Sequence, residues 1–281
     1  MDGIILVDKK QTWTSQDVCS KVKHILHVKK VGHCGTLDPF ATGLLIVLVK
    51  NGTKLGQFIE LFDKTYIARL KLGVKTSSGD IDGEEIERKD IPNLNKEDII
   101  KVLRSFIGKQ SQLPPMYSAL KVNGKALYKY AREGKEIERK PRDIEVYDIQ
   151  FIDYSEDTIT FMAHVSKGTY IRTLGEDIAE KLGTVGHLTD LRRTKVGKYL
   201  VNDACDVEEV SEERIIGFKD CLNFMEHVRV DIKGEQDVKN GKQIFINTKN
   251  DTVAIFNIKD ELLAIYERAN GNMFKSVRGF F

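Results

Sequence analysis

The order of apolar and polar positions predicts a strand, a helix and a second strand near the start of the chain. Ile4–Val7 is an apolar run of strand length. Thr14 or Ser15 can cap a helix that continues to about Val28. Its apolar face repeats at helical spacing, at Val18, Val22, Ile25 and Leu26. Leu44–Val49 predicts the second strand and is the longest apolar run of the chain, far too short to span a membrane.

The middle of the chain continues with further strands and helices. Three segments have the pattern of strands: Tyr66–Leu72, Ile144–Ile152 and Thr158–Val165. Two segments have the spacing of helices: Asn95–Phe106, and Thr169–Leu182 before Gly183. Two others are typical of irregular structure: the turn-rich loop Lys75–Gly83 and the extended, proline-containing segment Leu113–Val122. This mixture predicts the α+β class.

The composition changes after Val201 and predicts a second domain. The acidic stretch that follows Val201 is predicted to be a linker. From His227 onward, short apolar segments separated by Gly and Asn turns predict strands. We therefore expect a larger domain over residues 1–225 and a small β-rich domain over residues 226–281.

A glycine- and threonine-rich segment, Val31–Gly43, lies between the first helix and the second strand. Asp38 precedes Pro39, which disfavours a helical backbone at Asp38 and keeps it extended or in a turn. Such a loop can project Asp38 into a cleft as a catalytic group, or the Asp38 side chain can simply cap a turn. The residues alone leave both interpretations open. The glycine and lysine pattern of a nucleotide-binding P-loop is absent, as is the dinucleotide-binding glycine motif.

Histidines and cysteines do not favour a metal or redox centre. His33 lies five residues before Asp38, with no third ligand spaced nearby, and His24 and His27 are expected to face solvent on the helix. The four cysteines contain no CxxC pair and fit reduced thiols in a cytoplasm: Cys19, Cys34, Cys205 and Cys221. We therefore expect no metal and no cofactor.

Two arginine positions suggest interactions with anions. Arg172 lies at the start of a predicted helix, where the helix dipole favours negative charge, so we expect it to pair with a carboxylate from elsewhere in the chain. Arg192 and Arg193 are predicted to follow a loop, a position consistent with phosphate contact or with simple solvation.

The distribution of charge matters more than its total. The 281 residues carry 44 Lys and Arg against 42 Asp and Glu, a formal net charge of +2 that argues against a nucleic-acid partner. The charges are nevertheless segregated: residues 104–145 are basic, whereas residues 76–98 and 203–237 are acidic. The segments are either ordinary solvated faces or a basic RNA-binding surface that the acidic segments conceal in the total.

Several motifs occur in one order along the chain. They are Gly3–Lys9, Thr14-Ser15, Gly32–Gly43, Lys64–Tyr66, Pro115–Lys121, Lys167–Arg172 and Leu191–Arg193. In sequence and order they resemble the TruB family, the tRNA pseudouridine-55 synthases, over about residues 3–200. Lys10 and Thr12 stand where the family often has Pro and Gly. After residue 200 the resemblance is looser and implies a small PUA-like RNA-binding domain.

The resemblance implies a fold, a reaction and a catalytic set. The fold is the pseudouridine synthase fold, a mixed and largely antiparallel sheet. The reaction is the isomerisation of uridine 55 in the T loop of tRNA by base flipping, without a cofactor. By resemblance, Asp38 is the catalytic carboxylate and Arg172 holds it charged and oriented. The resemblance also implies that Tyr66 stacks on the flipped base and assists proton removal from C5.

Further residues acquire roles from the same resemblance. Tyr170 and Leu191 would line the pocket of the flipped base, and His33 would fill space or stack where the base leaves. Lys9, Lys54 and the basic stretch 104–145 are candidates for phosphate contacts to the T stem-loop.

Two other functions are compatible with these motifs. One is the catalytic subunit of a guide-RNA-directed pseudouridylation particle, against which the short C-terminal segment argues. The other is a non-catalytic tRNA-binding or folding protein, against which the presence of Asp38, Tyr66 and Arg172 argues. We expect a cytoplasmic monomer that acts on tRNA without a membrane or an obligatory protein partner.

Overall fold

The computed structural model describes residues 1–281. Its strands, in chain order, are β1 (Gly3–Lys9), β2 (Val31–Cys34), β3 (Thr42–Val49), β4 (Lys64–Leu72), β5 (Val74–Thr76), β6 (Glu85–Arg88), β7 (Gly108–Gln112), β8 (Lys121–Val122), β9 (Lys125–Ala126), β10 (Arg142–Ser155), β11 (Thr158–Val165), β12 (Gly186–Val196), β13 (Tyr199–Leu200), β14 (Ile216–Gly217), β15 (Glu226–Arg229), β16 (Ile244–Phe245), β17 (Thr252–Phe256), β18 (Leu262–Asn270) and β19 (Met273–Gly279). Its α-helices are α1 (Ser15–Ile25), α2 (Gly56–Ile59), α3 (Lys96–Arg104), α4 (Leu127–Ala131), α5 (Ile171–Lys181), α6 (Phe218–Cys221) and α7 (Ile232–Lys239). Four 3₁₀ helices span Lys50–Leu55, Val201–Asp203, Val207–Glu209 and Glu212–Arg214.

Two sheets organise the chain. The large sheet has the strand order β14-β1-β3-β12-β4-β11-β10-β7, with β2 added to β3 and β13 added to β12. Within it β12 and β3 are parallel and the other pairs are antiparallel, so the prediction of a mixed, largely antiparallel sheet is confirmed. The second sheet has the order β15-β17-β18-β19-β16, which confirms a small β-rich unit at the C-terminal end. No helix is long and apolar enough to cross a membrane.

Strand β3 lies near the centre of the large sheet and is buried on both faces. Leu45, Val47 and Val49 belong to one buried cluster, and the alternate residues Leu44, Ile46 and Leu48 belong to another. A strand that is buried on both faces needs apolar side chains at every position. This explains the unbroken apolar run in the sequence.

The two faces of the large sheet are covered by different elements. Helices α1, α3 and α5 contribute apolar residues to the cluster on the first face. The second sheet covers the other face, because Phe256, Ile265 and Phe280 lie in the same buried cluster as Ile4 and Leu6 of β1. The two sheets therefore share one hydrophobic core.

Strand β12 was not predicted, although it pairs with both β3 and β4. Its alternation is broken by register shifts between Leu188 and Asp190 and between Arg193 and Lys195. The placement of Arg192 and Arg193 after a loop is therefore wrong, because both lie inside this strand.

The acidic segment after Val201 is not a linker. Cys205 exchanges backbone hydrogen bonds with β1, accepting from the Asp8 N–H at 2.9 Å and donating to the Leu6 carbonyl at 3.1 Å. Val207 and Ile215 are buried in the core of the large sheet. Acidic side chains on the outside of this segment concealed the apolar positions that anchor it.

Two helix predictions also need correction. Helix α1 ends at Ile25 rather than Val28, because His27 adopts a left-handed backbone (φ 51°) and the Val28 N–H turns back to the Lys23 carbonyl. A left-handed residue at the end of a helix is usually a glycine. Because His27 takes that place here, nothing in the sequence indicated that α1 ends at Ile25. In the C-terminal unit, α7 was missed among predicted strands; Asp231 caps it by accepting from the Gly234 N–H.

Candidate active site

The loop between β2 and β3 carries Asp38 and is tied to its surroundings through its main chain. The Ser15 hydroxyl accepts from the Leu37 N–H at 2.9 Å and donates to the Leu37 carbonyl at 3.1 Å. The Pro39 carbonyl accepts from the Thr12 N–H at 2.8 Å. These bonds hold both neighbours of Asp38 in place.

Arg172, at the start of α5, contacts the Asp38 carboxylate. Its Nε lies 3.0 Å from Asp38 Oδ2, and the Asp38 side chain is 34% exposed whereas that of Arg172 is 4% exposed. The helix dipole predicted a carboxylate partner for Arg172, and the family resemblance implied that this partner is Asp38. Asp38 therefore presents a carboxylate at the protein surface that is supported from behind by a buried cation.

The same guanidinium has three further acceptors. Its Nη1 donates to the Ser78 carbonyl at 2.7 Å and lies 3.3 Å from Asp80 Oδ2. Its Nη2 donates to the Tyr117 carbonyl at 2.5 Å. A planar fork with every nitrogen occupied fixes the position of the group that holds Asp38.

Asp80 is a buried carboxylate that the sequence did not single out. Its side chain is 6% exposed, and burial raises its pKa, although the Ser78 hydroxyl and the Arg172 guanidinium oppose the shift. The Ser78 hydroxyl donates to Asp80 Oδ1 at 2.5 Å, and the Asp82 N–H donates to the same atom at 3.1 Å. The only available signal was its place in an acidic, turn-rich loop, where many carboxylates are equally plausible.

A cleft of about 610 Å³ opens in front of Asp38. Five of the residues singled out in the sequence line it: Asp38, Tyr66, Tyr170, Arg172 and Leu191. Tyr66 and Leu191 lie on the neighbouring strands β4 and β12, which explains how residues far apart in sequence face one cavity. These five residues bring two aromatic rings, one aliphatic side chain, one guanidinium and one oriented carboxylate to the cleft.

Gln112 positions Tyr170 at the entrance to α5. Its side-chain carbonyl accepts from the Tyr170 N–H at 2.8 Å, and its amide donates to the Tyr170 carbonyl at 3.0 Å. Gln112 is 4% exposed. A buried amide that satisfies both main-chain groups of Tyr170 fixes the start of α5, and with it Arg172.

Arg193 clamps the two ends of the Asp38 loop. It is 1% exposed, and it donates from Nε to the Leu44 carbonyl at 2.7 Å and from Nη2 to the Gly35 carbonyl at 2.8 Å. Close approach of β12 requires a glycine at position 43, where a Cβ atom would lie 2.3 Å from the Arg193 carbonyl oxygen. Neither phosphate contact nor solvation, the two expected roles, fits a guanidinium buried in this way.

Lys64 is a third buried cation at the wall of the cleft, after Arg172 and Arg193. Its ammonium group donates to the Glu60 carbonyl at 2.9 Å and to the Phe62 carbonyl. Burial lowers its pKa to about 8, and the nearby Arg193 acts in the same direction. The sequence motif Lys64–Tyr66 predicts no role for Lys64, and its contacts show that it supports the segment that leads into β4.

Lys9 is also buried rather than available to RNA. It is 1% exposed, and its ammonium group donates to the Trp13 carbonyl at 2.7 Å, to the Lys10 carbonyl at 3.0 Å and to the Pro39 carbonyl at 3.3 Å. Burial lowers its pKa to about 8, opposed by the charge of Asp38. Because all three donors are used, the structure does not support the expected phosphate contact.

The two remaining candidates lie outside the cleft lining. His33 is on β2, partly buried, with its Nδ1 unpartnered; burial and the charge of Arg193 lower its pKa. Lys54 is in the 3₁₀ helix that follows β3, at the opposite end of that strand from the Asp38 loop. No three His, Cys, Asp or Glu side chains come together in the geometry of a metal site.

Comparison with known proteins places these features in a family. The TruB family pseudouridylate synthase N-terminal domain matches residues 23–171, and the tRNA pseudouridylate synthase B C-terminal domain matches residues 172–219. The chain is 38% identical over 278 residues to the tRNA pseudouridine synthase B of Mesoplasma florum, covering 99% of this chain and 97% of that protein. It is 46% identical over 210 residues to that of Hydrogenovibrio crunogenus, covering 75% of this chain and 69% of the relative.

The fold is also shared with solved structures. An H/ACA RNP bound to a substrate RNA containing 2'-deoxyuridine contains a chain that matches with a TM-score of 0.74 at 22% identity, covering 99% of this chain and 85% of the other. At that level of identity the likeness establishes a common fold.

Proposed function

The chain belongs to the TruB family of pseudouridylate synthases, and from this premise we propose that it acts on uridine 55 in the T loop of tRNA with Asp38 as its catalytic carboxylate. As a tRNA pseudouridine synthase, it breaks the N1–C1′ glycosidic bond of a uridine and joins C5 of the uracil to C1′. The C5 hydrogen leaves as a proton and N1 gains one. Substrate and product are isomers, so the net reaction consumes no oxidant, reductant or energy source.

The observation that carries the assignment of Asp38 is its ion pair with Arg172 at the wall of the cleft. The reaction needs a carboxylate beside the sugar, either to attack C1′ or to remove the C2′ proton. Both routes require an oxygen that faces the substrate, and the partly exposed Asp38 offers one while Arg172 orients the group from the buried side. Arg172 is thus a positioning residue in this proposal.

The walls of the cleft support binding of a flipped base. A uracil taken out of a folded loop loses its stacking, at a cost of roughly a few kcal/mol. Tyr66 offers an aromatic ring for stacking in return, and Tyr170 and Leu191 enclose the same space. We assign these three residues to the base, and His33, on β2 outside the cleft lining, to filling space or stacking where the base leaves its loop.

Tritium release tests the proposal directly. A tRNA transcript labelled with tritium at uridine C5 should release the label into water when the purified protein is added, because C5 exchanges its hydrogen for the bond to C1′. Asp38→Asn should abolish release and keep tRNA binding, since the amide preserves the shape of the side chain. Release by this variant at the wild-type rate would overturn the role of Asp38.

The same assay separates the two rival functions. We propose that the protein acts alone, as a cytoplasmic monomer with a catalytic domain over residues 1–225 and an RNA-binding unit over residues 226–281. Release only after a guide RNA is added would identify a particle subunit. Tight tRNA binding without release under any condition would identify a tRNA-folding protein.

A further inference from the structure

Helix α5 begins without the features that usually stabilise the first turn of a helix. Its N-cap residue, Tyr170, offers no side-chain acceptor to the free N–H groups of that turn, and the turn contains no acidic residue. It contains Arg172 instead, a cation at the end of the helix where the dipole favours negative charge. The position of this first turn therefore depends on groups from outside the helix.

One short stretch of chain, Gln112–Tyr117, supplies such groups at two points. The Gln112 side chain forms hydrogen bonds with both main-chain groups of Tyr170. Five residues later, the Tyr117 carbonyl accepts from Arg172. Two consecutive prolines lie between these contacts and stiffen the stretch, because each proline ring fixes its own φ. A stiff segment thus holds the first turn of α5 at two places.

Gln112 is the firmer of the two anchors, because its own position is fixed by the large sheet. It is the last residue of β7 and pairs with Arg142 of β10. Its side chain both accepts from and donates to one residue, which only one orientation of the amide allows. Gln112 is buried and is not among the residues that line the cleft. Any part that it takes in the reaction must therefore pass through other residues.

The contacts that begin at Gln112 lead to the catalytic carboxylate. Tyr170, which Gln112 holds, turns its side chain to the cleft, and Arg172 follows two residues later in the same turn. The Arg172 Nε then contacts Asp38 Oδ2 at 3.0 Å. A shift at the start of α5 would be passed on to the guanidinium and to the carboxylate. Misplacement of a reacting group by about 1 Å can cost about a hundredfold in rate.

We propose that Gln112 is a positioning residue for pseudouridine formation, which fixes the first turn of α5 so that Arg172 keeps Asp38 oriented toward the cleft. This rests on the proposed function, because the reaction is the one assigned to Asp38. Gln112 carries no charge and does not reach the cleft, so it contributes to the rate of the chemical step and leaves the affinity for tRNA unchanged.

The test compares two glutamines of the same strand. Gln112→Met removes both hydrogen bonds to Tyr170 and keeps the length of the side chain. Gln110→Met, two residues earlier, removes an amide bond to the Phe106 carbonyl and is the matched control. We expect Gln112→Met to lower the single-turnover rate at saturating tRNA about tenfold to a hundredfold, with an unchanged Kd for tRNA. Gln110→Met should match the wild type, and equal rates in the two variants would overturn the proposal.

A double-variant cycle distinguishes positioning through Arg172 from general support of the fold. Added to Arg172→Lys, Gln112→Met should lower the rate by less than about twofold, because the group that it positions is already lost. The same fold loss in both backgrounds would contradict a role through Arg172. If Gln112→Met does not fold, Gln112→Glu carries the same cycle with the same expected pattern, since it keeps the acceptor for the Tyr170 N–H and loses only the donor.

Tritium release by the wild type reports separately on the proposed function. No release by the wild type would refute that function. Release by the wild type and by Gln112→Met at the same rate would refute only the role of Gln112.

Discussion

The cations around the Asp38 loop and those beside the C-terminal sheet are the same residue types in opposite environments. Lys9, Lys64 and Arg193 are buried and donate to main-chain carbonyls. Lys30, Lys54 and Arg278 are exposed or partly exposed and form no ion pair with a carboxylate. The first set holds the main chain around the catalytic loop in place, whereas the second adds charge to the surface. Burial and hydrogen-bond partners, rather than the presence of Lys or Arg, decide which role a cation has.

Arg172 gives the largest expected effect, because it is both buried and directly joined to Asp38. Arg172→Lys keeps the charge but cannot reach four acceptors with one ammonium group. We expect kcat to fall by about a hundredfold to a thousandfold, on the scale of losing one well-placed active-site donor. Single-turnover pseudouridine formation at saturating tRNA measures it. Arg88→Lys, an exposed change of the same kind outside the basic stretch, is the control; equal kcat in both would refute the positioning role.

Adjacent arginines on β12 give the next test. Arg193→Met leaves the carbonyls of Leu44 and Gly35 without their donor, so we expect the free energy of unfolding to fall by about 3 kcal/mol. Arg192→Met removes a partly exposed ion pair with Asp8 and should cost less than about 1 kcal/mol. Urea titration measures both. Similar losses in the two variants would show that burial does not distinguish these neighbours.

Lys9 supplies a prediction about pH. Its pKa is about 8 in the folded chain and 10.5 ordinarily, so between these values the unfolded chain holds a proton that the folded chain has released. The free energy of unfolding therefore rises with pH across this window, by about 2 kcal/mol between pH 8 and pH 10.

The Lys9→Met variant lacks the pH-dependent part of the unfolding free energy that Lys9 supplies. It keeps the part that comes from Lys64, whose pKa is also lowered by burial. The difference in unfolding free energy, wild type minus variant, should therefore grow with pH over that window. Chemical denaturation at pH 8, 9 and 10 provides the measurement. A difference that stays constant with pH would mean that Lys9 is not held in an environment that disfavours its charge.

The smallest effect is expected at Lys30 and Arg278, two exposed cations beside the C-terminal sheet. Lys30→Gln with Arg278→Gln removes no ion pair with a carboxylate and relieves repulsion with Lys54. The free energy of unfolding from urea titration should therefore stay the same or rise by about a few tenths of a kcal/mol. A clear loss of stability would place these residues with the buried cations instead.

Regular patterns made much of the fold predictable. The strand Thr158–Val165 was predicted with its observed bounds, because alternation and a polar turn mark it on both sides. The pairing of Arg172 with a carboxylate followed from its place at a helix start. In each case the signal is local, within a few residues of the feature.

Three of the misses, Arg193, Lys9 and Asp80, share one physical cause: burial of polar groups by distant parts of the chain. Arg193 and Lys9 have the composition of surface residues, and only the packing of β12 and β1 into the sheet shows that they are enclosed. Asp80 is one carboxylate in an acidic loop until α5 brings Arg172 beside it. Register shifts conceal β12 for a similar reason, because a strand with bulges loses the period that identifies it.

The core shared by the two sheets has a consequence for synthesis on the ribosome. One apolar face of the first strand made, Gly3–Lys9, packs in a buried cluster that includes Phe256, Ile265 and Phe280 of the second sheet. Until those residues emerge, the cluster is incomplete and part of its apolar surface stays exposed to other nascent chains and to chaperones. The enzyme therefore completes its catalytic sheet late in translation, and a prematurely terminated chain would display an uncovered apolar surface for quality control to recognise.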